Sequence, residues 1–90
     1  MTLVATFQST LDDISNSLSL GLIDNTGIAN SLSQKIQNAE AAAGGGDHQT
    51  ASNILGAFQN EVTAQTGQHV SATASQVLLQ DANSLISQNS

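Results

Sequence analysis

The sequence predicts an all-α fold, a four-helix up-and-down bundle that occupies residues 1–90 as a single domain. Four segments repeat apolar residues at spacings of three and four, the pattern of an amphipathic helix. The chain has no proline to interrupt them, and no segment shows the alternating pattern of a strand. Because the connections are short, neighbouring helices are expected to run antiparallel. The predicted helices span about residues 3–20, 26–43, 48–66 and 72–87.

The predicted helix over 48–66 is the one around which we expect the bundle to pack. Its apolar stripe consists of Ala51, Ile54, Leu55, Phe58 and Val62. Phe58 is one of two phenylalanines in a chain without Trp or Tyr, and it lies in the middle of the stripe. We therefore expect Phe58 in the core. Gly56 and Ala57 are small, so a neighbouring helix is expected to approach closely beside them.

The first helix is predicted over 3–20, with Thr2 as its N-cap and Gly21 in the left-handed conformation that ends many helices. Its stripe consists of Leu3, Val4, Phe7, Leu11, Ile14 and Leu18. The spacing resembles a heptad repeat. It lasts little more than two heptads and lacks flanking charges, which favours packing inside a bundle over a coiled coil.

The second and fourth helices carry similar stripes. That of the second consists of Ile28, Ala29, Leu32, Ile36, Ala39 and Ala43. That of the fourth consists of Ala74, Val77, Leu78, Ala82, Leu85 and Ile86. Asp24, Asn25 and Thr26 are all candidates for the N-cap of the second helix. Leu22 or Ile23 is expected to turn inward beside it.

Glycines and polar caps separate the later helices. Glycines at 44–46 predict a turn, because each costs about 1 kcal/mol in a helix interior relative to Ala. Asp47 is the predicted N-cap of the third helix, Gly67 its end, and Ser71 the N-cap of the fourth. The glycine run has neither the preceding strand nor the following lysine of a phosphate-binding loop, so phosphate binding is not expected.

The charge balance excludes several classes of partner. Only 9% of residues are charged, Lys35 is the sole cation, and the formal net charge is −6. Binding to nucleic acid or to an anionic membrane requires clusters of Lys and Arg, so neither is expected. No apolar run reaches the ~20 residues of a membrane span, so membrane insertion is not expected. The absence of cysteine excludes disulfides and thiolate metal sites.

A surface of Ser, Thr, Asn and Gln depends little on protonation state. This property suits secretion into an acidic or variable medium, and compositional drift within one lineage is the alternative explanation. No signal peptide is evident at the N-terminus, so any targeting segment is expected upstream in a longer parent protein.

The two histidines do not predict a metal site. A zinc ion needs three or four converging ligands, for which Asp47 and Glu61 are the other candidates. His48 and His69 are predicted at opposite ends of the third helix, roughly 30 Å apart. They therefore cannot share a metal within one bundle, and we expect exposed loop histidines.

The carboxylates do not predict a catalytic or calcium site either. Asp12 and Asp13 are adjacent on a helix and point about 100° apart, so they cannot act as a facing acid–base pair. Asp24, Asn25 and Thr26 offer oxygens for calcium, but helix capping explains the same residues more simply. The sequence thus predicts no catalytic, cofactor-binding or metal-binding residue, and no cofactor.

Positions spread from 21 to 86 carry a resemblance to a known family. They are the run Gly21-Leu22-Ile23-Asp24-Asn25-Thr26-Gly27-Ile28-Ala29-Asn30-Ser31-Leu32, Lys35-Ile36, Asn38-Ala39, Gly46, Ala51, Asn53-Ile54-Leu55, Ala57-Phe58, Val62, Gly67, Val70-Ser71, Ala74, Leu78-Leu79 and Asp81-Ala82. With this spacing the chain resembles the FIMAH family of small helical domains. The first helix fits the helix that precedes the Gly-x-Ile turn of that family. The triple glycine and the scarcity of Lys and Glu depart from its usual pattern.

The resemblance implies a module found towards the C-terminal ends of secreted or surface-exposed bacterial and archaeal proteins, often beside hydrolase domains. It implies no catalysis and supplies no catalytic or ligand-binding residues. The expected function is therefore a non-catalytic accessory module of a larger extracellular protein, acting as a spacer, a stabilising cap or a protein-contact domain. Its expected partners are neighbouring domains of a parent protein, or another protein.

The alternative function is a self-associating structural subunit of an extracellular assembly. A surface poor in charge lacks the repulsion that keeps proteins apart, and the stripe of Phe7 and Leu11 would then face a second chain. A small enzyme would need a pocket with perturbed ionisable groups, and it is not expected.

Overall fold

The computed structural model describes residues 6–89, and this range contains four α-helices and no strand. They are α1 (Phe7–Ser19), α2 (Thr26–Gly44), α3 (His48–Gln65) and α4 (Ala72–Gln88). α1 packs on α2 and α4, and α3 packs on the same two helices, so the four form a closed ring around one core. The predicted all-α four-helix bundle is confirmed. Each end of α2, α3 and α4 lies within one residue of its predicted position.

The first helix begins later than predicted. Thr6 has extended backbone with a ψ of 166°, and its hydroxyl accepts a hydrogen bond from the Ser9 N–H at 2.9 Å. In return, the Ser9 hydroxyl accepts from the Thr6 N–H at 2.8 Å. This reciprocal capping box starts α1 at Phe7, whereas the apolar spacing alone continues further upstream. The predicted cap Thr2 and the stripe residues Leu3 and Val4 lie outside the described residues.

The predicted ends and caps of the helices are otherwise confirmed. Gly21 has a φ of 78°, and the Leu22 N–H donates to the Ser17 carbonyl at 2.8 Å, which closes α1 with a Schellman motif. Gly67 follows α3 with a φ of 85°. The N-caps of α2, α3 and α4 are Asn25, Asp47 and Ser71.

The core takes residues from all four helices and from both loops that join α1 to α2 and α3 to α4. Its fully buried apolar side chains are Ile14, Ile23, Ala29, Leu32, Ile36, Ala39, Ala51, Leu55, Phe58, Val62, Val70, Ala74, Leu78, Ala82 and Leu85. Phe58 is 0% exposed, as predicted. Of the two candidates for an inward side chain in the first loop, Ile23 is fully buried and Leu22 is half-buried.

Two expectations about packing are wrong. Val77 is 40% exposed because it lies at the outer edge of the α4 stripe. Gly56 is not a point of close helix approach, since a Cβ atom placed on it would meet nothing within 4 Å. Ala57 is exposed as well. The contact surface of α3 lies instead on the side of Ala51, Leu55 and Phe58, so small size at 56 and 57 does not serve helix packing.

The antiparallel order gives the bundle two unlike ends. At one end the α1–α2 loop meets the α3–α4 loop through main-chain hydrogen bonds. At the other end the glycine turn precedes α3, and His48 Nδ1 lies 2.7 Å from Asn89 Oδ1 at the end of α4. The described residues include no helix that is long and apolar enough to cross a membrane.

Candidate functional site

Two loops join at one end of the bundle to form what we call the clasp, residues 21–24 and 67–71. The Asp24 N–H donates to the His69 carbonyl at 2.9 Å, and the Ser71 N–H donates to the Leu22 carbonyl at 2.8 Å. Between these bonds Ile23 forms an antiparallel bridge with Val70. Ile23 and Val70 are both buried, so the clasp is fixed to the core.

Residues of both clasp loops line a shallow surface cleft of about 200 Å³. Asp24 Oδ1 lies 2.8 Å from His69 Nδ1 at its rim, and both side chains are well exposed. An exposed pair of this kind contributes little stability, because water screens it. The pair therefore adds a polar contact between the loops without being a main source of their stability.

The cleft also contains Ser71, but this serine caps a helix. Its Oγ accepts from the Ala74 N–H at 3.1 Å. A nucleophilic serine instead needs its hydroxyl hydrogen-bonded to a histidine that is itself held by a carboxylate. The contacts of Ser71 and His69 in the described structure do not include such a bond, although His69 is held by Asp24.

No group of three or more His, Cys, Asp or Glu residues in the described range is arranged to hold a metal ion. His48 is the first residue of α3 and bonds Asn89, while His69 lies in the loop beyond the other end of α3. Both are exposed, as predicted. Asp47 caps α3 and does not join His48 in a cluster: two hydrogen bonds from Thr50, through its hydroxyl and its N–H, lower the pKa of Asp47.

The other acidic candidates also serve local structure. Asp12 is exposed and accepts a hydrogen bond from Gln8 Nε2 at 3.0 Å. The candidate calcium ligands Asp24 and Asn25 also have partners within the fold. Asn25 Oδ1 accepts a hydrogen bond from the Ile28 N–H at 3.0 Å, and Asp24 Oδ1 lies 2.8 Å from His69 Nδ1. Their oxygens are thus used for capping and for the clasp.

A cation-centred contact joins α2 to α3. Lys35 Nζ lies 3.0 Å from Glu61 Oε1 and 3.2 Å from Ser31 Oγ, and the Ser31 hydroxyl donates to the same Glu61 oxygen at 3.0 Å. The Lys35 and Glu61 side chains are only 32% and 19% exposed. The single Lys or Arg side chain of the protein is therefore used inside its own fold.

A contact of the opposite kind joins α1 to α4, where the carboxyl of Asp13 faces that of Asp81. Both residues are half-buried. Asp81 Oδ2 is buried, and no side-chain or main-chain donor among the described residues bonds it. Burial, a hydrogen bond with Asp13 and repulsion from Asp13 together raise the pKa of Asp81 to about 7. Two ionised carboxyls have no hydrogen between them, so they bond only when one is protonated.

Neither cross-helix contact was predicted from the sequence, although one signal was present. Asp81 follows Leu78 by three residues and precedes Leu85 by four, which puts it at the edge of the buried stripe. Lys35 follows Ser31 by four and lies on the same helix face. The spacing marks these positions as partly buried, but it does not show which residue of another helix lies opposite.

Comparison with known proteins gives a match to a family. The family model described as FIMAH domain matches residues 6–87, nearly all of the described chain, including α1. No curated protein and no solved structure matches the chain.

Proposed function

Because the chain belongs to the FIMAH family, we propose that it is a non-catalytic accessory module of a larger extracellular protein. It acts there as a spacer, a stabilising cap or a protein-contact domain. The observation that carries this proposal is that the polar side chains examined as candidate site residues make structural contacts within the bundle. Asp47 and Ser71 cap helices, Asp24 and His69 join two loops, and Glu61 joins two helices.

The topology supports attachment at one end of the bundle. Consecutive helices are antiparallel, so Thr6 at the start of α1 and Asn89 after α4 lie at the end opposite the clasp. A parent protein would connect there and leave the clasp end facing outward. The cleft between the clasp loops is then the surface offered to a neighbouring domain or to another protein.

The surface chemistry supports an extracellular setting. With 9% charged residues, hydration depends on hydroxyl and amide side chains whose polarity does not vary with pH. A low charge density also limits attraction to nucleic acids and to anionic lipids. These properties suit a domain whose medium is not buffered by the cell.

The test is removal of the domain from a parent enzyme that carries it. Turnover of a small soluble substrate should remain nearly unchanged. Resistance to heat or protease, retention at a surface, or action on a large substrate should fall. In a matched variant of the parent enzyme, a flexible Gly/Ser linker replaces the domain, which keeps a connection but removes the fold. Rescue by the linker identifies a spacer, and failure to rescue identifies a cap or a contact domain.

Two results would overturn the proposal. Loss of small-substrate turnover in a truncated enzyme that is still folded would place this domain in the active site. No change in resistance, surface retention or action on a large substrate would leave no accessory role, and self-association would then be the better explanation.

Self-association is the second candidate, and exposed apolar side chains favour it. Leu20 is 74% exposed beside the clasp, and Val77 is 40% exposed on α4. Phe7 and Leu11, which the sequence suggests for this role, pack partly against the protein's own core. Light scattering over a concentration series decides the matter, because a monomer at every concentration excludes this candidate.

A further inference from the structure

The contact between α1 and α4 has an unusual electrostatic arrangement. Two carboxyls, Asp13 and Asp81, face each other across it, and the buried Oδ2 atom of Asp81 accepts no hydrogen bond from any donor in residues 6–89. Separating two charges of like sign from water is costly unless a counter-charge or a proton neutralises one of them. The contact between α1 and α4 therefore requires either a nearby positive charge or a bound proton.

The surrounding helices supply no counter-charge in the described structure. α4 has no other ionisable residue, and α1 adds only Asp12, which is exposed. α3 packs on α4 and carries His48 and Glu61, but these bond Asn89 and Lys35. α2 packs on α1 and carries Lys35 and Glu40; Lys35 is held by Glu61, and Glu40 is exposed. A proton is the remaining way to neutralise the pair.

α1 is also the helix with the fewest apolar anchors. It has 13 residues, and its buried residues are Thr10, Ile14 and Ser17, of which only Ile14 is apolar. By contrast, α3 buries Ala51, Leu55, Phe58 and Val62. Elements with few buried apolar contacts open locally at the lowest free energy, so α1 is the first helix expected to separate from the bundle.

We propose that Asp13 and Asp81 form a proton-operated latch that holds α1 against the rest of the bundle. When the two carboxyls share a proton, a hydrogen bond joins α1 to α4. When both are ionised, that bond is lost and repulsion replaces it. α1 then loosens, while α2 and α3 keep their apolar contact and their Lys35–Glu61 pair. The latch is a property of the fold and does not depend on the accessory role proposed above.

The direction of the pH effect follows from proton linkage. The pKa of Asp81 is raised from 3.8 to about 7 in the folded protein, so the folded state binds more protons between these two values. The stabilisation is complete below pH 3.8 and is lost as the pH rises through about 7. The lowered pKa of Asp47 acts in the opposite sense, because its contribution is lost as the pH falls below about 4. The protein as a whole should therefore be most stable in mildly acidic solution, where both contributions are present.

Hydrogen–deuterium exchange of the whole 90-residue protein tests the latch helix by helix. Rates at pH 5 and pH 8 are corrected for the intrinsic pH dependence of amide exchange. Protection of α1 should fall by about tenfold from pH 5 to pH 8, while that of α3 should stay nearly constant. The thermal midpoint should be lower at pH 8 by several degrees. An equal loss of protection in all four helices would overturn a latch confined to α1.

Matched variants assign the effect to the pair. Asp81→Asn and Asp13→Asn each remove a titrating group, keep the side-chain shape and should abolish the difference in α1 protection between pH 5 and pH 8. Asp12→Asn removes the same charge from the neighbouring, exposed position of α1 and should leave the difference intact. Persistence of the difference in Asp81→Asn, or its loss in Asp12→Asn, would overturn the proposal.

A direct titration covers the case in which a variant fails to fold. Carboxyl carbon chemical shifts of the wild-type protein should show one aspartate titrating near neutral pH. Titration of every aspartate below pH 5 would overturn the proposal without any variant.

Discussion

Two contacts between helices each contain a partly buried carboxyl group, and its charge is neutralised differently in each. Between α2 and α3, the Glu61 carboxylate is partly buried against the Lys35 ammonium and the Ser31 hydroxyl. Between α1 and α4, Asp81 is partly buried against another carboxyl. The first contact is neutralised by the Lys35 ammonium. The second depends on the proton concentration of the medium.

The difference follows from the composition of the chain. With Lys35 as the single Lys or Arg, only one carboxylate can pair with such a cation. That partner is given to the interface between α2 and α3, the most extensive in the bundle. The interface of the shortest helix is left with two acids. In a protein so poor in cations, the position of one lysine decides which interface has a counter-charge and which depends on a proton.

The largest expected effect comes from a substitution in the core contacts of α3. Phe58→Ala should lower the free energy of unfolding by about 3–5 kcal/mol, because it removes a fully buried aromatic side chain from α3. In a domain of 90 residues such a loss is enough to threaten folding altogether. Urea or thermal unfolding followed by circular dichroism measures the change.

Phe7→Ala is the matched control, since Phe7 is only half-buried at the start of α1. It should cost clearly less than Phe58→Ala. A thermal midpoint for Phe58→Ala within a few degrees of wild type would show that the α3 contacts do not dominate stability. Equal costs at the two positions would remove the distinction between α1 and α3.

A smaller effect is expected when the charge of Glu61 is removed from the contact between α2 and α3. Glu61→Gln should destabilise the protein by about 1 kcal/mol or less, because an amide still accepts hydrogen bonds but no longer neutralises the Lys35 ammonium. Glu40→Gln, an exposed substitution on α2, provides the control for removing one negative charge. If Glu61→Gln were neutral or stabilising relative to that control, the pair would contribute no net attraction.

The smallest expected effect is that of salt. Ion pairs hold little of this fold, so screening should mainly relieve weak repulsion among Asp and Glu. Stability should stay level or rise slightly between low and moderate ionic strength, with the rise more evident at pH 8, where Asp13 and Asp81 repel each other. Chemical denaturation in urea, which adds no ions, measures the free energy of unfolding at each ionic strength. A clear loss of stability on adding salt would instead indicate an attractive charge network.

Periodicity and capping chemistry predict most of this fold because both are local in sequence. The caps Asp47 and Ser71 and the end at Gly67 can each be assigned from a few neighbouring residues. The exception at Thr6 has the same origin, since two reciprocal capping bonds override an apolar spacing that continues upstream. At this helix start two local rules compete, and the capping bonds prevail over the apolar spacing.

The polar contacts between helices were not predictable because they depend on how the helices rotate about their axes. The sequence relates Asp13 only to its neighbour Asp12, whereas in the fold it faces Asp81. Lys35 and Glu61 are separated by 26 residues. A helical stripe shows that a residue is near the core, but the residue opposite is set by the packing of two whole helices. The contact between the two clasp loops was not predicted for the same reason, since the sequence of each loop alone indicates only a turn.

The clasp has a consequence for the order in which the protein folds. The hairpins α1–α2 and α3–α4 are each local, but the clasp joins Asp24 to His69 across 45 residues of sequence. Closing so long a loop is entropically unfavourable until the core has begun to assemble, so the clasp should form after the folding transition state. Contacts that form late have little influence on the folding rate and mainly slow unfolding. The junction of the two loops would thus set the lifetime of the native state more than the speed at which it is reached.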